Sequence, residues 1–154
     1  MELLDILHVR DFMAVTPIHE ITVVSMVQWI QGYHFFRRFT QKGVSDIVSY
    51  EAFLSSLFSE ERSMMTFEGE QFFGCSKIMQ KIQSLTFQKI AHSITAVDAQ
   101  PMFDGGILIS VLGQLKTDDD PPHSFNQVFV LKPQPDTGSF YVAHDTFRLS
   151  LHSM

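Results

Sequence analysis

At 154 residues, 45% of them apolar and 15 of them phenylalanine, the chain has the length of one domain and the material for an aromatic-rich core, which excludes a disordered chain. Its formal charge of -6, with no basic cluster beyond "FFRRF", argues against nucleic acid and for a basic partner. A single cysteine, Cys75, excludes an internal disulfide framework and suits cytosol or nucleus.

Residues 1–18 read as an N-terminal extension ahead of one domain over 19–154. "MELLDILHVRDFM" intersperses Glu2, Asp5, His8, Arg10 and Asp11 among apolar residues, so neither a signal peptide nor a membrane span is expected and the protein reads as soluble. From Ile21 to Phe36, Met26, Trp29, Ile30 and Tyr33 recur at three- and four-residue spacing, which predicts a first amphipathic helix. Gly43 breaks the pattern. "DIVSYEAFLSSLF" then aligns Ile47, Tyr50, Leu54 and Leu57 in a second helix running to about Phe58. A third helix follows "FFG", with Ile78, Met79, Ile82 and Leu85 on one face, Gly74 ahead of it and Ser76 as N-cap.

After Leu85 the period changes to two. "FQKIAHSITAVDAQP" alternates as a strand, with Ile90, His92, Ile94, Ala96 and Asp98 on one face and Ala91, Ser93, Thr95 and Val97 on the other. Gly105 and Gly106 turn the chain into "ILISVLGQLK". "SFNQVFVLKP" follows, with Phe125, Gln127, Phe129 and Leu131 on one side, and "PQPDTG" leads into "GSFYVAHDTFRLSL". Helices first and a meander of four strands after predict an α+β cone: three N-terminal helices packed on a strongly curved antiparallel sheet.

Few residues suggest chemistry. His144 and Asp145 are adjacent in a strand and therefore point to opposite faces. An inward Asp145 would instead meet His92 across the sheet as a structural polar pair. A cone can also enclose a pocket in which His92, Asp98, Tyr141 or Asp145 transfers protons, the alternative reading of the chain as a small-molecule enzyme. Phosphate loops, zinc spacings and nucleophile elbows are absent from the sequence, so no metal or cofactor is expected. "MMTFEGEQFFG" sets Glu68 and Glu70 among Met65, Phe67, Phe72 and Phe73, as a β-hairpin with Glu68 and Gly69 at its turn or as an acid-rimmed apolar pocket. "TDDDPP" is turn-like in composition. Its adjacent carboxylates repel by about 1 kcal/mol per close pair even in water, which a docking Lys or Arg would relieve.

Taken together, "SMMTFEGEQFFG", "LTFQKIAHSITAVDAQP", "GQLKTDDDPPHSFNQVFVLKP" and "HDTFRLSLH" resemble, in order and spacing, the nuclear transport factor 2 family over about Leu54 to Met154. The resemblance implies a homodimer of α+β cones without enzymatic activity, which carries the GDP-bound form of the small GTPase Ran into the nucleus and binds phenylalanine-glycine repeats of nucleoporins. It implies a location in cytoplasm, nucleus and nuclear pore, with no membrane insertion. By this resemblance Glu68 pairs with an arginine of Ran, and Asp118 and Asp120 grip a lysine. Phe67, Leu85, Ile90 and Phe147 line a pocket for an aromatic anchor, which Met154 closes from the carboxyl end. His92 and Asp145 match polar positions of the family. The first third of the chain departs from the pattern: "RRFTQKGVSDIVSYEAF" is roughly ten residues longer than the usual connection, and Trp29 aligns with a core position rather than with the repeat-binding aromatic.

Overall fold

The computed structural model describes residues 55–87 and 90–150. The first helix expected from the sequence, most of the second, the 1–18 extension and Met154 lie outside them. The second helix ends as expected: residues 55–57 are helical, and Phe58 then forms a parallel bridge with Val142.

A short hairpin comes first, β1 (Met64–Phe67) and β2 (Glu70–Phe73), followed by a helix, α1 (Cys75–Ser84). Four long strands follow: β3 (Ile90–Pro101), β4 (Ile107–Thr117), β5 (His123–Pro133) and β6 (Phe140–Ser150). They form one six-stranded sheet in the order β2-β1-β6-β5-β4-β3. The meander from β3 to β6 is antiparallel, as expected. β1, however, adds to β6 in parallel, so the sheet is mixed rather than purely antiparallel. The hairpin cannot reach β6 through a tight turn, because the whole meander lies between them in sequence; parallel pairing is open to such a remote segment.

Alternation makes the core. In β4, Ile107, Ile109, Val111 and Leu115 are buried while Leu108 and Leu112 face outward. In β5, Phe125, Gln127, Phe129 and Leu131 all point inward, as their spacing requires. α1 lays Ile78, Met79 and Ile82 on this layer, and each fully buried aliphatic or aromatic side chain contributes about 1.5–3 kcal/mol.

Two local details differ from expectation. A bulge at Thr95 lies between Ile94 and Ala96, opposite Leu112 and Gly113, and reverses the parity of β3. Ile90 and Ile94 face the core before it and Val97 and Ala99 after it, so the two faces read from strict alternation hold only as far as Ile94. Ser76 is not the cap of α1. That position belongs to Gly74, and the Ser76 backbone N–H (2.8 Å) and hydroxyl (3.0 Å) both donate to Glu60 Oε2. An acid from the preceding turn thus supplies the anionic oxygen that the first turn of a helix favours. Gly74 has φ +86 and Glu60 lies against it, so a side chain there would be strained and crowded.

Gly113 is the other crowded position. A Cβ added there would lie 2.6 Å from the Ser93 carbonyl oxygen and 3.0 Å from the Phe125 ring. The neighbouring backbone cannot retreat without breaking the β3–β4 ladder. Gly113→Ala is expected to lower stability by about 1–3 kcal/mol, read as a lower urea midpoint at unchanged m-value.

Candidate functional site

A cavity of about 390 Å³ opens between α1, the hairpin and the inner face of the sheet. Phe67, Leu85, Ile90 and Phe147, the four residues assigned to an apolar pocket from the sequence, all line it. Phe67 in β1 and Phe147 in β6 are register partners; their rings stack with centroids 4.9 Å apart, and Phe147 stacks in turn on Phe125 at 5.7 Å. Leu85 terminates α1 and Ile90 begins β3, so both stand where chain direction changes beside the opening. The stretch "MMTFEGEQFFG" forms the hairpin, with Glu68 and Gly69 at its turn; Met65 and Phe67 line the cavity, and Phe73 is exposed.

Three acids stand near this opening. Asp120 is exposed and also lines the cavity. Its N–H donates to the Thr117 carbonyl at 3.0 Å, closing a turn in which Asp118 has φ +49. Aspartate is among the few residues that take up this left-handed conformation readily. Glu68 has φ +51 at the hairpin turn. Its N–H donates to the Phe147 carbonyl at 3.1 Å, and its Oε1 accepts the Leu149 N–H, so β6 fixes it from both ends. A carboxylate has lone pairs beyond that one bond and can accept a further donor.

Lys81, which the sequence did not single out, pins the outer wall. Its Nζ bonds Glu70 at 2.9 Å and lies 5.3 and 5.4 Å from the centroids of Phe67 and Phe72, a cation–π arrangement joining α1 to the hairpin.

At the inner end lies Asp145, 1% exposed. It faces inward and His144 outward, as adjacent strand residues must. Its neighbours in register are Met65 in β1 and Phe129 in β5, both fully buried. Gln127 Nε2 donates to Asp145 Oδ1 at 2.8 Å, taking the partner's role that the sequence reading gave to His92. His92 does line the same cavity, with its ring edge-on to Phe125 at 5.8 Å. The signal for Gln127 was visible as the one polar residue in the inward stripe of β5.

Burial pushes the Asp145 carboxyl up to about 7, opposed by the Gln127 hydrogen bond. Such a group can hold or pass a proton near neutral pH. Among the described residues no group of three or more His, Cys, Asp or Glu side chains could hold a metal ion. Burial, reinforced by the Glu60 charge, also raises the Cys75 thiol, which does not suit a nucleophile.

The nuclear transport factor 2 (NTF2) domain family matches residues 47–149. The chain belongs to this family. It is 42% identical over 141 residues to the Caenorhabditis elegans protein named "Probable nuclear transport factor 2", covering 92% of this chain and 99% of that one. Identity to the Saccharomyces cerevisiae nuclear transport factor 2 is 40% over 116 residues, 74% of this chain and 90% of the yeast protein. The solved structure of nuclear transport factor 2 from Cryptosporidium parvum superposes with a TM-score of 0.61 at 35% identity, over 80% of this chain and 90% of that one. The NTF2-like fold is thus the frame in which the acids and the cavity are set.

The linkage sign for Asp145 follows from its raised value. Between the unfolded value of 3.8 and about 7 the folded chain binds the extra proton, so stability is greatest at the acid end and declines as pH rises through 7. The full difference is on the order of 4 kcal/mol. Because other carboxylates titrate too, the measurement is a comparison: from pH 5 to 8 the stability of Asp145→Asn, relative to wild type, should rise, as followed by urea unfolding.

Proposed function

We propose that the chain is a nucleocytoplasmic transport adaptor that binds GDP-bound Ran and nucleoporin phenylalanine-glycine repeats. The observation that carries this reading is the placement of Asp120 on the rim of the cavity walled by Phe67, Leu85, Ile90 and Phe147, with Asp118 on the same turn and Glu68 next to Phe67. An apolar recess bordered by carboxylates fits a partner offering an aromatic anchor flanked by basic side chains. The net charge of -6 favours such a basic partner. Relatives sharing about 40% of the sequence bear the name nuclear transport factor 2, which supports movement between cytoplasm and nucleus through the pore.

In this reading Met154 closes the recess, His92 and Asp145 shape its interior, and the protein works without a cofactor or catalysis. Homodimerisation would use the outer sheet face. There Leu108 and Leu112 are 36% and 46% exposed, and Val130 and Val128 lie opposite Leu108 and Ser110 on the adjoining strand.

Immobilised protein should retain Ran loaded with GDP and not with GTP. Desolvated charge pairs at interfaces couple by roughly 1.5–7 kcal/mol, so each of Glu68→Lys, Asp118→Lys and Asp120→Lys should weaken retention at least about tenfold. Equal retention of both nucleotide forms would refute the proposal. Titration with a phenylalanine-glycine peptide tests the second partner separately, because the acid reversals should leave that affinity unchanged.

A further inference from the structure

The cavity contains a polar group that an aromatic anchor alone does not satisfy. Asp145 lines it; Oδ1 accepts from Gln127, while Oδ2 has no hydrogen-bond partner among the described residues. An acceptor left unmet among apolar neighbours is unfavourable, so a ligand that completes it gains affinity. The walls nearby are aromatic, with Phe67 and Phe147 stacked 13° from parallel. At about 390 Å³ the space also exceeds the roughly 150 Å³ at which an apolar cavity already takes up benzene, which leaves room for a ring with a polar substituent.

We propose that the inner end of this cavity binds a small hydroxylated aromatic molecule, a phenol, whose ring lies against Phe67 and Phe147 and whose hydroxyl pairs with Asp145 Oδ2. A neutral hydroxyl suits the carboxyl in either form. It donates to the carboxylate, and it accepts from the acid, whose proton resides on Oδ2 because Oδ1 is occupied by the Gln127 N–H. The other titratable groups facing the cavity are His92, His123 and Asp120. An anionic ligand would meet two carboxyls there, and a cation would lose its hydration among apolar walls. The site shares Phe67 and Phe147 with the recess of the transport reading, but the binding of a free phenol is measured without the transport partner and stands or falls separately from it.

The test is calorimetric titration of the intact protein at pH 8 with 4-methylphenol, toluene, 4-methylanisole and N-acetyltyrosinamide. The phenol should bind at least tenfold more tightly than toluene or the methyl ether, an order opposite to their transfer from water. Asp145→Leu should remove that preference while toluene still binds. Should this variant fail to fold, the wild-type ranking decides by itself. Phenol affinity no better than toluene's, or no binding at all, would mean that water satisfies Oδ2 and overturns the proposal. N-acetyltyrosinamide should bind at least tenfold more weakly than 4-methylphenol, and equal binding would overturn assignment to a free small molecule rather than a tyrosine side chain.

Discussion

The strand β6 is hydrogen-bonded on both sides, to β5 antiparallel and to β1 parallel, and the rest of the site is indexed to it. A strand held on two edges cannot slip, because a one-residue slip would send every side chain to the opposite face. Asp145, Phe147 and Leu149 therefore face the cavity together, at intervals of two. Through the same ladders β6 fixes its neighbours: Met65 and Phe67 from the hairpin, and Phe125 and Phe129 from β5. Glu68 is tied to it as well, through the Phe147 carbonyl and the Leu149 amide.

Two kinds of acid surround the cavity. The rim acids sit on turns: Asp118 and Asp120 are exposed, and Glu68 is half-buried with its Oε1 bonded to the Leu149 N–H. The carboxyl of Asp145, between Met65 and Phe129, has lost its solvent and keeps one hydrogen bond in exchange. Placement on an inward strand position or on a turn between strands thus decides whether a carboxyl is an internal proton holder or a surface contact.

Much of this was legible in the sequence wherever a period applied. The inward stripe of β5, the opposite facing of His144 and Asp145, the buried face of α1 and the four apolar residues of the pocket all follow from spacing or from motif resemblance. What escaped is what spacing does not encode. The bulge at Thr95 is a register event between two strands, and β3 alone does not announce it. The Glu60 contact at the start of α1 joins residues sixteen apart through a tertiary turn, while local capping rules favoured Ser76. The choice of Gln127 over His92 as the hydrogen-bond donor to Asp145 depends on which strands adjoin β6; β5 does, and β3 is two places further away. The parallel edge of the sheet was missed for the same reason, since a hairpin and a meander read separately give no instruction on how they join.

That parallel join governs the order of assembly. Met65 and Asp145 are register partners, and the Glu68–Leu149 hydrogen bond spans 81 residues of chain. The hairpin is local and can close within microseconds, yet its edge has nothing to pair with until the last strand exists. On a growing chain, β1 emerges early and waits for β6 with an unpaired edge and Phe67 uncovered. The recess is consequently the last part of the described fold to come into being, and a chain cut short before residue 147 would possess the hairpin, the helix and most of the meander without possessing the site.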